Sequence, residues 1–574
     1  MILCEQKKNL LLCVTTLLSI AAPLAGLSIC VGIAAFSVTW RWFPIADMLR
    51  SVLLDAAVAW FAIALPLGAG RIWIGVAFFP LLISAVAAIA HLLWYDAPIS
   101  PFAVLSLFET SPAESLEFFQ DHASLPAAAT FLAGLGAAFA LLIRAWRKLP
   151  TMKELTFRFP GLKLGILAFC LVVAGTALHK GDRLLRSHHL YLLADGLRDY
   201  AHTSRAVEHI RAKRAGFAPA AVVAPSARET TPRVHVFVIG ESANRNHLAL
   251  YGYPRDTTPH ISAMLRQDRQ AGGPPQVFVF TNVISSDTHT IPNLRAMFLF
   301  QDLRTDENPL SSPSLLQLFK AAGFKTWWLS NQVTTHSALS TALIANDAHV
   351  TRYVNTARDE GRSASYDEAL LPELDVALED AAPRKAIFLH LLGSHLTYAL
   401  RYPPEFNFFT ETGDIPDAPW RGSKEKGYIN AYDNSIRYTD ALLARIIAKV
   451  ERSGGIASVL YVSDHGQEVY DTRPVRGQAI ENPSRHMFDV PFLLWFSPAY
   501  QALYPDVVAT AAAHRDIPFI TSHFAHAAAD LARIRFTGFQ RGKSLFAPEY
   551  TPHERILPGN RPYDTLDEIR DRSH

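Results

Sequence analysis

The sequence predicts a multi-domain protein: an N-terminal transmembrane domain of five helices, followed by a C-terminal α/β domain built on a buried sheet. Three observations predict it. The first third carries five apolar spans. From Arg233 onward, short apolar strands alternate with helical stretches, the pattern of a parallel sheet covered on both faces. Two of those strands, 234–239 and 458–462, run directly into Glu241 and into Asp464-His465, where open α/β sheets place their ligands. Half of the 574 residues are apolar and the mean hydropathy is +0.12, high for a wholly soluble chain. A net charge of +2 gives no reason to expect nucleic acid. All four cysteines (Cys4, Cys13, Cys30, Cys170) precede residue 171, which excludes a disulfide scaffold or a Cys-bound zinc in the C-terminal part.

The five spans are residues 10–36, 52–67, 72–95, 125–143 and 164–178. Most approach the roughly 20 residues that cross a bilayer; the second and fifth are short. The first lacks a small-residue cleavage site and reads as a retained span. Lys7 and Lys8 precede span one, and Arg144, Arg147, Lys148, Lys153, Arg158 and Lys163 lie between spans four and five. The 96–124 loop has no Lys or Arg, and Arg41 and Arg50 on the opposite side are outnumbered. The positive-inside rule then puts the N-terminus in the cytoplasm, and an odd number of spans puts everything after the fifth outside it.

Within the acidic outer loop, 102–119 has a helical apolar pattern carrying Glu109, Thr110, Glu114 and Glu117. It reads either as an interfacial helix with its acids in water or as a surface that attracts a lipid ammonium. Residues 1–180 form the membrane domain. Residues 181–232 are a basic amphipathic bridge and an Ala/Pro/Thr-rich linker, and 233–574 form the C-terminal α/β domain.

Strands are expected at 234–239, 277–281, 325–329, 386–391, 458–462 and 490–496, and helices at 314–322, 371–379 and 429–451. Between the second strand and a helical run lies N-V-I-S-S-D-T-H-T-I-P-N-L (282–294). Thr290 precedes Ile291-Pro292, and proline favours a first helical turn, so its hydroxyl would face the positive end of a helix dipole. It reads as a helix cap or as a nucleophile activated by a bound cation. Thr288 is the rival; Ser285 and Ser286 are weaker. His395 and His486 lie just outside strands, where a shared edge would bring them near Asp464. His390, inside its apolar run, reads as a satisfied polar residue. His235, His247, His260, His289 and His336 read as surface or supporting residues.

These motifs resemble the phosphoethanolamine transferases of the Gram-negative inner membrane, within the alkaline phosphatase and sulfatase superfamily. The resemblance rests on G-E-S-A-N-R-N-H (240–247), Y-G-Y-P-R-D-T-T-P (251–259), G-S-H-L-T-Y-A-L-R-Y-P (393–403), Y-D-N-S-I-R-Y-T-D (432–440) and S-D-H-G (463–466), with five spans ahead of them. It implies a sulfatase-like catalytic domain in the periplasm and a zinc-dependent transferase. Glu241, Asp464 and His465 match the metal-binding positions, with Thr290 as the phosphorylated threonine beside the metal. His395 and His486 match headgroup-binding or second-zinc positions, Asn331 a residue near the transferred phosphate, and Glu109, Thr110 and Glu114 the outer-loop acids. The donor implied is phosphatidylethanolamine. The acceptor is an envelope glycolipid or glucan: lipopolysaccharide core, lipid A or periplasmic glucan. Ser286 and Asp287 stand where lipid A-modifying members carry a cysteine beside the nucleophile, and the loop looks shorter, so the chain looks more like the cysteine-free branch. Related phosphoglycerol transferases and sulfatases share the fold, although no C-x-P-x-R or S-x-P-x-R stands at the nucleophile loop. A non-enzymatic scaffold or lipid-binding protein would show a broken ligand set, whereas every ligand type is present here.

Overall fold

The computed structural model describes residues 160–179, 221–223, 231–300, 311–332, 341–355, 366–478, 480 and 482–566, with scattered positions before residue 202. One compact unit lies within the first 202 residues and the other takes in Thr203–His574. In the first, helix α1 (Pro160–His179) falls on the fifth expected span. It exposes Leu164, Leu171 and Val172 while burying Ile166 and Val173, so it is apolar around its girth. Among the described residues no helix is long and apolar enough to cross a membrane. Most of the other four expected spans, and the loop carrying Glu109, Thr110 and Glu114, lie outside the described residues.

The second unit is organised on a seven-stranded sheet. Its strands are β1 (Arg233–Gly240), β2 (Val277–Phe280), β3 (Lys325–Ser330), β4 (Val350–Tyr353), β5 (Arg384–His390), β6 (Ile456–Ser463) and β7 (Phe492–Phe496), in the order β2-β7-β6-β1-β5-β3-β4. The sequence pattern predicts a parallel sheet. The structure corrects this at one strand: β7 runs antiparallel to both neighbours, β6 and β2. Near-continuous apolar runs report burial on both faces and carry no information about direction.

Alternate residues of each strand feed two separate cores. Phe237, Ile239, Phe388, Leu460 and Val462 pack on one side with α3 (Thr290–Phe298) and α4 (Leu315–Ala321). Val236, Val238, Ile387, Leu389, Val459 and Tyr461 pack on the other with α2 (Pro259–Ala271), α5 (Leu370–Glu379) and the long α6 (Ser423–Ser453). Stacking of Phe237 on Phe388, with ring centroids 5.0 Å apart, ties β1 to β5.

Register positions the site. In the parallel pair β1–β6, Gly240 lies opposite Ser463, so the next residues, Glu241 and Asp464, emerge together at the carboxyl edge. In β1–β5, Ile239 lies opposite His390, which brings the 391–395 turn to the same edge. The reversed direction of β7 serves the same end, because its amino-terminal approach, which carries His486, arrives where the parallel strands finish.

Candidate metal centre

Glu241, Asp464 and His465 each present a ligand atom, and these atoms lie within 4.8 Å of one another. All three side chains are buried. His465 Nε2 is 3.3 Å from Glu241 Oε1 and 3.5 Å from Asp464 Oδ2. The turn after β1 is tight: Ser242 adopts φ +60°, its N–H donates to Asp464 Oδ1 at 3.1 Å, and its hydroxyl donates to Glu241 Oε1 at 2.7 Å. A non-glycine residue held there is strain retained at a site, fixed by the groups around it. Two glycines make the close approaches. A Cβ on Gly393 (φ +52°) would stand 2.7 Å from the Glu241 carbonyl, and one on Gly466 2.2 Å from the His486 carbonyl.

The donor set fits a divalent cation. Asp464 Oδ2 is buried without a hydrogen-bond partner, a cost that a bound ion would remove. His465 Nδ1 lies 2.8 Å from the Gly466 carbonyl, which can only accept, so Nδ1 carries a proton; burial disfavours a charged ring, but Asp464 and Glu241 raise its pKa to about 9, and a cation at Nε2 would displace the second proton. Protein zinc ligands are held in this way, the second ring nitrogen bonded to a backbone oxygen. The electrostatics record the crowding. Burial and then the Glu241 charge push the Asp464 carboxyl up to about 7. Burial also opposes ionisation of Glu241, but the His465 hydrogen bond and charge, with His395, hold it below the usual carboxylate range.

Thr290 is the first residue of α3 and follows His289, whose side chain makes no capping bond. Its Oγ1 donates to Glu241 Oε2 at 3.1 Å and lies 3.3 Å from His465 Nε2. The Thr288 hydroxyl instead lies 3.0 Å from His289 Nδ1. The loop before α3 is held by Asn293, which is fully buried. Its Oδ1 accepts from the N–H groups of Ser286 (3.1 Å) and Asp287 (2.9 Å) and from the Ser286 hydroxyl (3.0 Å). Its Nδ2 donates to the carbonyls of Asp287 (2.7 Å) and His289 (3.0 Å). Gln332 donates to the Leu391 carbonyl at 2.7 Å and reaches Glu241 Oε2 at 3.4 Å.

The other candidates are more dispersed. Asn331 is buried and donates to Asp367 Oδ1, whose carboxylate also receives the N–H groups of Leu392 and Gly393, bracing the turn behind Glu241. Its neighbour Gln332 is the one that touches the triad. His395 and His486 are not among the side chains that converge within 4.8 Å in the described residues. His486 Nδ1 instead lies 2.8 Å from Asn244 Nδ2 and 3.5 Å from Asp471 Oδ2.

The remaining histidines differ in their surroundings. His247 is no surface residue: it is buried, with Nδ1 2.7 Å from Asp433 and Nε2 3.0 Å from Asp471. Its partners come from α6 and from the turn after β6, at sequence distances no local pattern reveals, although His247 and Asp433 both stand in the motifs quoted above. His235 is buried in the core, bonded to Ser458 Oγ at 2.8 Å. His390 is not a satisfied residue, since its buried Nε2 has no partner. His260 pairs with Asp440 at 2.9 Å, and His336 lies outside the described residues.

Residues 233–534 match the Sulfatase family, so sheet and site together define a sulfatase-type domain. The chain is 31% identical over 497 residues to phosphoethanolamine transferase CptA of Salmonella typhimurium, across 84% of this chain and 83% of that one. It therefore belongs to the phosphoethanolamine transferase family. Identity to phosphoethanolamine transferase EptC of Escherichia coli is 35% over 337 residues, 58% of this chain; the match spans 56%, little more than half, of that relative. The periplasmic domain of the E. coli protein, solved in complex with Zn, aligns at 33% identity and TM-score 0.54, covering 61% of this chain and 96% of its own. The integral membrane protein lipooligosaccharide phosphoethanolamine transferase A of Neisseria meningitidis shares the fold over 91% of this chain and 98% of its own, with TM-score 0.63 at 20% identity.

Proposed function

We propose that this chain moves phosphoethanolamine from phosphatidylethanolamine to an envelope glycolipid or glucan, through a covalent intermediate on Thr290. The observation that carries the reading is the Thr290 hydroxyl seated on a buried Glu241–Asp464–His465 cluster that has an unpartnered carboxylate oxygen. Zinc is the cation proposed, in keeping with the Zn complex of the E. coli relative. Held by Glu241, Asp464 and His465 with Thr290 Oγ1 beside it, it would supply a Lewis acid that lowers the hydroxyl pKa and offsets charge on the phosphoryl oxygens. Thr290 Oγ1, its proton released to solvent, attacks phosphorus; the bond to diacylglycerol breaks and the departing oxygen takes up a proton, with His395 or His486 assisting that protonation or binding the phosphoryl oxygens. The acceptor oxygen then attacks the same phosphorus and frees Thr290, which predicts ping-pong kinetics. The N-terminus of α3 favours the developing negative charge.

The same proposal places residues 1–180 in the inner membrane as five helices, 181–232 as the bridge and 233–574 in the periplasm. The exposed apolar girth of α1 and the integral membrane fold shared with the Neisseria protein support it. A membrane domain keeps the enzyme with a donor that never leaves the lipid phase. Glu109, Thr110 and Glu114 would attract its ammonium. Among acceptors, the lack of cysteine after residue 170 favours the lipopolysaccharide core or a glucan over lipid A.

The test uses the purified full chain with zinc, in nanodiscs of headgroup-labelled phosphatidylethanolamine or phosphatidylglycerol, with lipopolysaccharide and glucan supplied as acceptors. Transfer from the ethanolamine lipid alone is expected. Transfer only from phosphatidylglycerol, or from neither lipid, contradicts the reading.

A further inference from the structure

The side chain of Asn244, in the 240–247 motif, is placed at full stretch between fixed partners. Its Oδ1 accepts the backbone N–H of Asn246 at 2.9 Å and the Asn246 side-chain amide at 3.0 Å. Its Nδ2 donates to the Gln467 carbonyl at 3.1 Å and reaches His486 Nδ1 at 2.8 Å. A backbone N–H can only donate and a backbone carbonyl can only accept, so these two contacts fix which end of the amide is oxygen and which is nitrogen. The second Nδ2 proton therefore points at His486 Nδ1, which must offer a lone pair.

That bond assigns the His486 tautomer: Nδ1 bare and the proton on Nε2. A proton on Nδ1 would face another N–H at 2.8 Å, and the alternative acceptor, Asp471 Oδ2, stands farther off at 3.5 Å. Asp471 is itself engaged, with Oδ1 3.0 Å from His247 Nε2 and Oδ2 accepting the Val469 N–H at 3.0 Å. Behind His247 lies Asp433, which also receives the Tyr253 hydroxyl and Arg255. His486 thus sits against a carboxylate already committed elsewhere and an amide that can only donate to it.

We infer that Asn244 is a positioning residue for the transfer reaction, holding His486 as an Nε2–H donor for the phosphoryl oxygens or the departing oxygen. The inference rests on the proposed transferase reading and says which way the proton on His486 points. Replacing the amide by a carboxylate of the same shape, Asn244→Asp, removes the donor. At a pH where the His486 ring stays neutral, its proton would then sit on Nδ1 to meet the new acceptor, leaving Nε2 bare, and the donor is lost without a change in side-chain size.

The experiment is a double-mutant cycle on the full chain in nanodiscs with zinc, read together with imidazole 15N NMR of His-labelled protein. The His486 signal is identified by its loss in His486→Gln. The wild-type neutral ring is expected to show a protonated Nε2, and N244D a protonated Nδ1. N244D should lower kcat about 10- to 100-fold, the range over which supporting hydrogen bonds act, with KM for the lipid little changed and the zinc content unaltered. In the H486Q background the same change should cost less than about threefold. Additive losses, or a wild-type ring protonated on Nδ1, overturn the inference even if the protein is an active transferase. If wild type transfers nothing, the functional reading fails, while the NMR arm still decides the tautomer.

Discussion

The Thr290 hydroxyl donates to Glu241 Oε2 across 3.1 Å, although the two residues come from different strand–helix units. Glu241 follows β1, Thr290 opens α3, and the sheet brings them together. Glu241 is thus shared between a cluster suited to a cation and the oxygen proposed to attack phosphorus, so perturbing one should be felt at the other.

Replacing the two rival threonines separates their roles. Thr290→Ala should reduce transfer on the order of 10³-fold or more, as loss of a nucleophile does. Thr288→Ala, which removes a hydroxyl turned toward His289, should cost about tenfold at most. Initial rates on labelled donor lipid check this, and equal losses in the two variants would remove the distinction.

Asp464 supplies a prediction in which the sign changes. Its buried Oδ2 has no partner and lies beside Glu241, so in metal-free protein above about pH 7 an ionised Asp464 should be destabilising. Asp464→Asn should therefore raise the melting temperature of metal-stripped protein and lower it, relative to wild type, in saturating zinc. Binding at a hundredfold excess over Kd stabilises wild type by about 2.7 kcal/mol. Calorimetry with and without chelator reads both signs; a variant less stable in both conditions contradicts the assignment of Asp464 as a ligand.

Asn293 holds the Thr290 loop through five hydrogen bonds from one buried amide. Asn293→Ala leaves the Asp287 N–H without its acceptor and the Ser286 N–H with Thr521 Oγ1 alone, and should cost roughly 1–3 kcal/mol of stability. Transfer should fall about tenfold while zinc stays bound, because the threonine loses its fixed approach but the triad is untouched. Metal analysis beside the kinetics checks the separation.

His247 gives a pH dependence. Burial opposes its charge, but Asp471 and Asp433 raise its pKa from 6.5 to about 10. A folded-state pKa above the unfolded one means that the native state holds the extra proton. The contribution is therefore complete below pH 6.5 and fades as pH climbs toward 10, by up to about 1.4 kcal/mol per pH unit. The melting-temperature gap between wild type and His247→Gln should be widest near pH 6 and close toward pH 10. A gap that widens over that range would show the opposite linkage.

The sequence made the strands and the ends of β1 and β6 legible, because a buried strand that stops at Glu241 or Asp464-His465 announces its edge through composition alone. Thr290 was readable from the proline two positions on. The direction of β7 was hidden, since Phe492–Phe496 is apolar throughout and such runs look alike in either direction. Gln332 and Asn293 were equally hidden: amides carry no periodic signal, and their partners are set by folding. His247 was left open between a surface and a supporting residue, because the acids that bury it lie 186 and 224 residues away.

The most direct measurement is the intact mass of the full chain after brief exposure to phosphatidylethanolamine and zinc without acceptor. A single added phosphoethanolamine on wild type is expected, absent from Thr290→Ala and discharged when acceptor is supplied. An adduct that persists in Thr290→Ala, or turnover with no adduct at any time, would contradict a covalent route through this residue.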